Sequence, residues 1–159
     1  MTRLQAAGPE VSPAEETIAV GPLDIRFLVT GENSSGSIAT FEMTVPASDG
    51  LPAPPHSHDD YEETVYGLSG VLTMTVEGKT FEVSPGQAVC VSRGAVHSFR
   101  NSTTQNAKVL CIITPAAIGP EYFREIGAVL KAAAGCPPDR AKMVEIMHRY
   151  GLKPAMPPA

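Results

Sequence analysis

The 159-residue chain has few histidines, four, and few cysteines, three. Cys90, Cys111 and Cys136 form no C-x-x-C pair and their number is odd, which argues against a disulfide framework and a cysteine-built structural zinc site. Cys90 and Cys111 lie in apolar, strand-like runs and are expected to be buried, inert thiols. Positive charge is also scarce. Twelve Lys and Arg face seventeen Asp and Glu, a net charge of −5. That argues against a nucleic-acid partner, whose binding needs a basic patch. No apolar run approaches the roughly 20 residues of a membrane span. The opening M-T-R-L-Q-A-A-G-P-E lacks the apolar core of a signal peptide, so a reduced, cytoplasmic setting is the expectation.

What is present is an ordinary globular composition, 43% hydrophobic and 18% charged, sized for one domain. Residues 1–16 hold Gly8, Pro9 and Pro13 without a period and read as an N-terminal arm. Leu23, Ile25, Phe27 and Val29 alternate with polar residues, as do Ala39, Phe41, Met43 and Val45. Pro46 to Pro55 is a proline-rich loop. Short strands then follow quickly: Glu63–Leu68, Val71–Val76, Lys79–Val83, Ala88–Ser92, His97–Arg100 and Ala107–Thr114. This pattern predicts an all-β barrel or sandwich over 17–114. Beyond Pro115 the period changes. Pro120-Glu121 opens one helix carrying Tyr122, Phe123, Ile126 and Val129 on a stripe, expected to pack on the barrel. Asp139 starts a second, which Gly151 stops. The extension is 115–159, its tail K-P-A-M-P-P-A expected to be loose. His148 lies off the helical stripe and reads as a solvated surface histidine.

The chemistry concentrates between Gly50 and Gly70, in G-L-P-A-P-P-H-S-H-D-D-Y-E-E-T-V-Y-G-L-S-G. His56 and His58 are two apart and share one face of an extended strand. Glu63 follows a turn at Asp59-Asp60-Tyr61. Two imidazoles and a carboxylate from one segment suit a divalent metal, and His97 is the candidate fourth ligand. Asp59 and Asp60 read as solvated loop carboxylates.

Gly50, His56-x-His58, Glu63 and Gly70 carry the spacing of the first motif of the cupin family. Gly86, Ser92-x-Gly94, His97 and Asn101 carry that of the second, with Ser92 where the family usually has proline. The chain therefore resembles a small single-domain cupin. The resemblance implies a single cupin β-barrel (jelly-roll) with short C-terminal helices. It also implies one divalent metal ion held by His56, His58, Glu63 and His97 at about 2.0–2.3 Å. The interval to Gly70 selects Glu63 over Glu62 as ligand. Strand parity then turns Val65 and Gly67 inward and Glu62, Thr64 and Tyr66 outward. The tail, with Pro137-Pro138-Asp139 and Arg149-Tyr150-Gly151, is similar to a bacterial subset described as quercetin dioxygenase-like.

A mixed N/O set suits Fe(II), Mn(II), Ni(II), Co(II) or Zn(II). The resemblance implies a dioxygenase acting on a small enol or phenol, with Glu63 as ligand and catalytic base. Phe41, Met43, Val65 and Phe99 are candidate pocket residues. The alternatives are a non-redox isomerase or lyase and a non-catalytic small-ligand-binding cupin. An isomerase or lyase tends to need an internal Lys, Tyr or His base, and Tyr66 is the aromatic hydroxyl the motif suggests, facing the wrong way. Cupin barrels commonly pair through their sheets, so a homodimer is expected.

Overall fold

Period-two alternation builds two walls. The computed structural model describes residues 11, 16–48, 50 and 52–155, so most of the 1–16 arm and residues 156–159 lie outside the described residues. The strands are β1 (Thr17–Val20), β2 (Leu23–Val29), β3 (Ala39–Val45), β4 (His56–His58), β5 (Glu62–Ser69), β6 (Leu72–Val76), β7 (Lys79–Val83), β8 (Ala88–Val91), β9 (His97–Arg100) and β10 (Ala107–Thr114). Helices α1 (Pro120–Ala133) and α2 (Arg140–Arg149) follow, then a last strand, β11 (Leu152–Pro154). One sheet runs β1-β2-β3-β10-β5-β8 and the other β11-β4-β9-β6-β7, with every pair antiparallel.

The inner face of the first sheet is laid down in rows. Ala39, Ile113, Glu63 and Val91 are register partners across β3, β10, β5 and β8. Phe41, Cys111, Val65 and Val89 form the adjoining row. Glu63 is thus the carboxylate in an otherwise apolar row. The second sheet supplies His97 opposite Val76, with Phe99 opposite Met74 beside it.

The helices close onto this barrel. Pro120 at the start of α1 has its φ already set for a helix. Phe123 reaches in to meet Phe41 at 5.1 Å and Phe27 at 5.7 Å between ring centroids. Ile126 and Val129 are buried and Phe123 partly so, and the stripe packs on its own barrel. Gly127 permits the approach, because a Cβ there would stand 2.5 Å from the Ala19 carbonyl oxygen of β1. The Asp139 side chain accepts a hydrogen bond from the Lys142 amide at 3.0 Å and caps α2.

Two expectations need correction, and one strand lies outside the alternating runs read from the sequence. The tail is not loose at its start: Leu152, Lys153 and Pro154 pair with His58, Ser57 and His56, and the Ala155 amide donates to the Pro55 carbonyl. A three-residue strand leaves too short a run for period to show. The same holds for β1, where Ile18 and Val20 are buried in the short T-I-A-V run. Cys90 is exposed, because its partner Thr64 lies on the outer face of β5; Cys111 is buried as expected.

Candidate metal centre

The centre forms where the two sheets face one another. Glu63 projects from β5 of the first sheet, while His58 on β4 and His97 on β9 project from the second. One donor atom from each of the three lies within 4.8 Å of the others. His58 and His97 are buried, and the Glu63 side chain is 16% exposed. His56 stands beside them. It pairs in register with His97, its ring centroid 4.4 Å from that of His97 and 6.3 Å from that of His58. The structure therefore gathers three of the four expected ligands into one group and holds the fourth next to it.

Backbone carbonyls fix the tautomers. The Nδ1 atoms of His56, His58 and His97 meet the carbonyl oxygens of Pro54, Tyr61 and Ala95 at 2.9, 2.9 and 3.0 Å. A carbonyl only accepts, so each Nδ1 carries the hydrogen, and in the neutral ring Nε2 is left with its lone pair. For His58 and His97 that Nε2 is buried and has no hydrogen-bond partner among the described residues. Glu63 Oε2 lies 3.5 Å from the first and 3.3 Å from the second, within range of charge attraction but without a hydrogen bond. Two lone pairs and a carboxylate oxygen aimed at one another repel unless a cation stands between them. The donor set, oriented through its far nitrogens, thus fits a divalent ion.

Without an ion, the same closeness shifts the titrations of these groups. Burial pushes the Glu63 carboxyl up, but His58, His97 and His56 outweigh it and hold the group well below the usual carboxylate range. Burial lowers His97 and the Glu63 charge more than restores it, leaving its basicity raised. Burial first, then the neighbouring His97, brings His56 down to about 4. Burial and then Glu63 push the Cys111 thiol well up, so it is no nucleophile.

The rest of the pattern is structural. Asn101 is buried, donating from Nδ2 to the carbonyls of Val45 and Gln105 and accepting at Oδ1 from the amide and hydroxyl of Thr103. The Gly94 amide donates to the His58 carbonyl at 2.8 Å, tying the two motif loops together. Gly70 has φ +67°, and a Cβ there would stand 2.4 Å from the Asn106 carbonyl oxygen. Of the candidate pocket residues, Phe41 and Val65 occupy the row next to Glu63, Met43 lies one row further, and Phe99 sits beside His97.

One residue escapes the spacing. Tyr61 is 1% exposed, its ring stacked on His58 at 4.0 Å and 16°. Tyr66 points outward and is 38% exposed, so of the two tyrosines in the first motif it is Tyr61 that lies beside the centre. A tyrosine in a D-D-Y turn carries no period to announce its direction.

A two-sheet antiparallel barrel that sets histidines of one wall against a carboxylate of the other is the architecture of the cupins. The chain carries a cupin domain: the family profile described as "Cupin domain" matches residues 41–113. It is similar to quercetin 2,3-dioxygenase of Bacillus subtilis (strain 168), 28% identical over 102 residues, or 64% of this chain. That match spans 29% of the Bacillus enzyme's own length. Among solved structures it is similar to KdgF from Halomonas sp., with a TM-score of 0.56 at 15% identity over 64% of this chain and 86% of that one. A predicted oxalate decarboxylase from Thermotoga maritima gives 0.55 at 22% identity over 70% and 99%. Both structural likenesses are of fold alone.

Proposed function

We propose that this cupin is a metal-dependent, dioxygenase-like enzyme acting on a small enol or phenol. The observation that carries the reading is the convergence of the unpartnered His58 and His97 Nε2 atoms on an ionised Glu63. The likeness of this stretch to a quercetin dioxygenase supports the substrate class. His56, His58, Glu63 and His97 are the proposed ligands. When bound, a divalent ion supplies Lewis acidity, and a redox-active one a path for electrons to dioxygen.

The chain's own residues do the rest. Phe41 and Val65 present apolar surface beside Glu63 and exclude water. A low carboxyl pKa keeps Glu63 ionised and makes it a weak base, so it would accept a proton only from an enol or phenol hydroxyl that a bound ion has made more acidic. A second reading, a non-redox isomerase or lyase, is favoured by the internal phenols Tyr61 and Tyr122, which feel the Glu63 charge. Metal analysis followed by aerobic and anaerobic incubation with a panel of phenols separates them. Oxygen consumption coupled to loss of the phenol is expected; turnover without oxygen overturns the dioxygenase reading.

A homodimer is proposed through the outer face of the first sheet. There Tyr66 and Leu68 are exposed beside the half-buried Leu110 and Ile112, giving an apolar strip. Sedimentation showing a clean monomer at micromolar concentration refutes it. No helix among the described residues is long and apolar enough to cross a membrane.

A further inference from the structure

Tyr61 is tied to His58 at two points, one on its backbone and one on its ring. Its carbonyl takes the His58 Nδ1 hydrogen at 2.9 Å, and its ring lies flat on the His58 imidazole. Its hydroxyl, however, is buried and has no hydrogen-bond partner among the described residues. An unpartnered buried hydroxyl costs on the order of 1–3 kcal/mol. Phenylalanine would stack on His58 equally well without that cost, so packing does not account for the oxygen. A phenol is protonated at neutral pH, so the buried hydroxyl has a hydrogen to donate.

We infer that the Tyr61 hydroxyl is a ligand-positioning group, donating a hydrogen bond to an oxygen atom of the molecule held at the His58, Glu63 and His97 centre. The inference rests on the reading above that this centre takes a small oxygen-bearing ligand. It makes the site selective for ligands with a second oxygen beside the coordinating one, because an analogue lacking it leaves the phenol unpaired.

The test compares wild type with Tyr61→Phe, both loaded with the metal that wild type retains, under anaerobic conditions. The probes are 4-nitrocatechol, followed by its absorption shift, and oxalate, followed by calorimetry. Three results are expected of Tyr61→Phe: unchanged metal content, a metal-free melting temperature equal to or above wild type, and probe binding weaker by about fivefold or more. A lower melting temperature overturns the inference, since the hydroxyl is then satisfied inside the protein. Binding of both probes as in wild type overturns it as well. If wild type takes oxalate but not nitrocatechol, and Tyr61→Phe weakens oxalate, the enol or phenol class falls while the role of Tyr61 stands. If wild type binds neither, both readings fall.

Discussion

Glu62 and Arg93 form a two-point ion pair on the surface, Nε to Oε1 at 2.8 Å and Nη2 to Oε2 at 3.1 Å, one residue away from the inward-facing carboxylate of Glu63. The neighbouring glutamates thus face opposite ways along β5. Glu63→Gln is expected to empty the centre and end turnover, since a neutral amide is a poor ligand and no base. Glu62→Gln removes an exposed pair and is expected to cost about 0.5 kcal/mol or less. Metal content and melting temperature, measured side by side, decide it; metal loss in Glu62→Gln alone would reverse the assignment.

Metal binding is expected to stabilise the fold, because the unfolded chain has no assembled site. A divalent ion at about 100 times its Kd adds about 2.7 kcal/mol. Calorimetric melting of chelator-treated protein with and without added ion reads this directly. His58→Ala and His97→Ala should abolish the rise, and His56→Ala should weaken it. A full rise in His97→Ala would place the ion elsewhere.

Acid stability of the metal-free protein follows from three shifted groups. His56 titrates at about 4 when folded against 6.5 in its ordinary state, so between those values the unfolded chain binds more protons and stability falls as pH falls. The Glu63 contribution is present above its unfolded pKa of about 4.3 and is lost as pH drops through the lower folded value. His97 has a raised folded pKa, so its contribution is complete below about 6.5 and is lost as pH rises through that folded value. Melting temperature should therefore peak near pH 6.5 (the ordinary histidine value) and fall on both sides. His56→Gln should flatten the limb between 4 and 6.5. An unchanged limb would clear His56 as its cause.

Gly127→Ala tests the docking of α1. In a free helix alanine is better than glycine by about 1 kcal/mol. Here the new Cβ meets backbone, the Ala19 carbonyl oxygen at 2.5 Å, which has no rotamer to yield with. A net loss of about 1–3 kcal/mol in chemical denaturation is expected. A gain would show that α1 can shift on β1 without penalty.

Much of this was legible in the chain. Alternation in L-D-I-R-F-L-V and A-T-F-E-M-T-V marks strands because one face is buried and the other is not, and the structure buries Ile25, Phe27, Phe41 and Met43 accordingly. Parity along β5 places Val65 inside and Tyr66 outside for the same reason. Asp139 caps α2 because its carboxylate reaches the free Lys142 amide, a local effect needing no distant partner.

Local rules end where contacts are non-local. The sequence by itself determined an all-β barrel or sandwich with two C-terminal helices and put His56, His58, Glu63 and His97 at motif spacing, since period, turn chemistry and spacing act within a few residues. Only the tertiary structure decided that His58 and His97 converge on Glu63 from the opposite sheet, that Leu152 to Pro154 adds a strand beside His56 to His58, and that the Tyr61 phenol is buried without a partner. Those outcomes depend on which walls face each other across the barrel. That pairing is set by the summed burial of residues up to about a hundred positions apart, as between β11 and β4, and no short stretch of chain carries it.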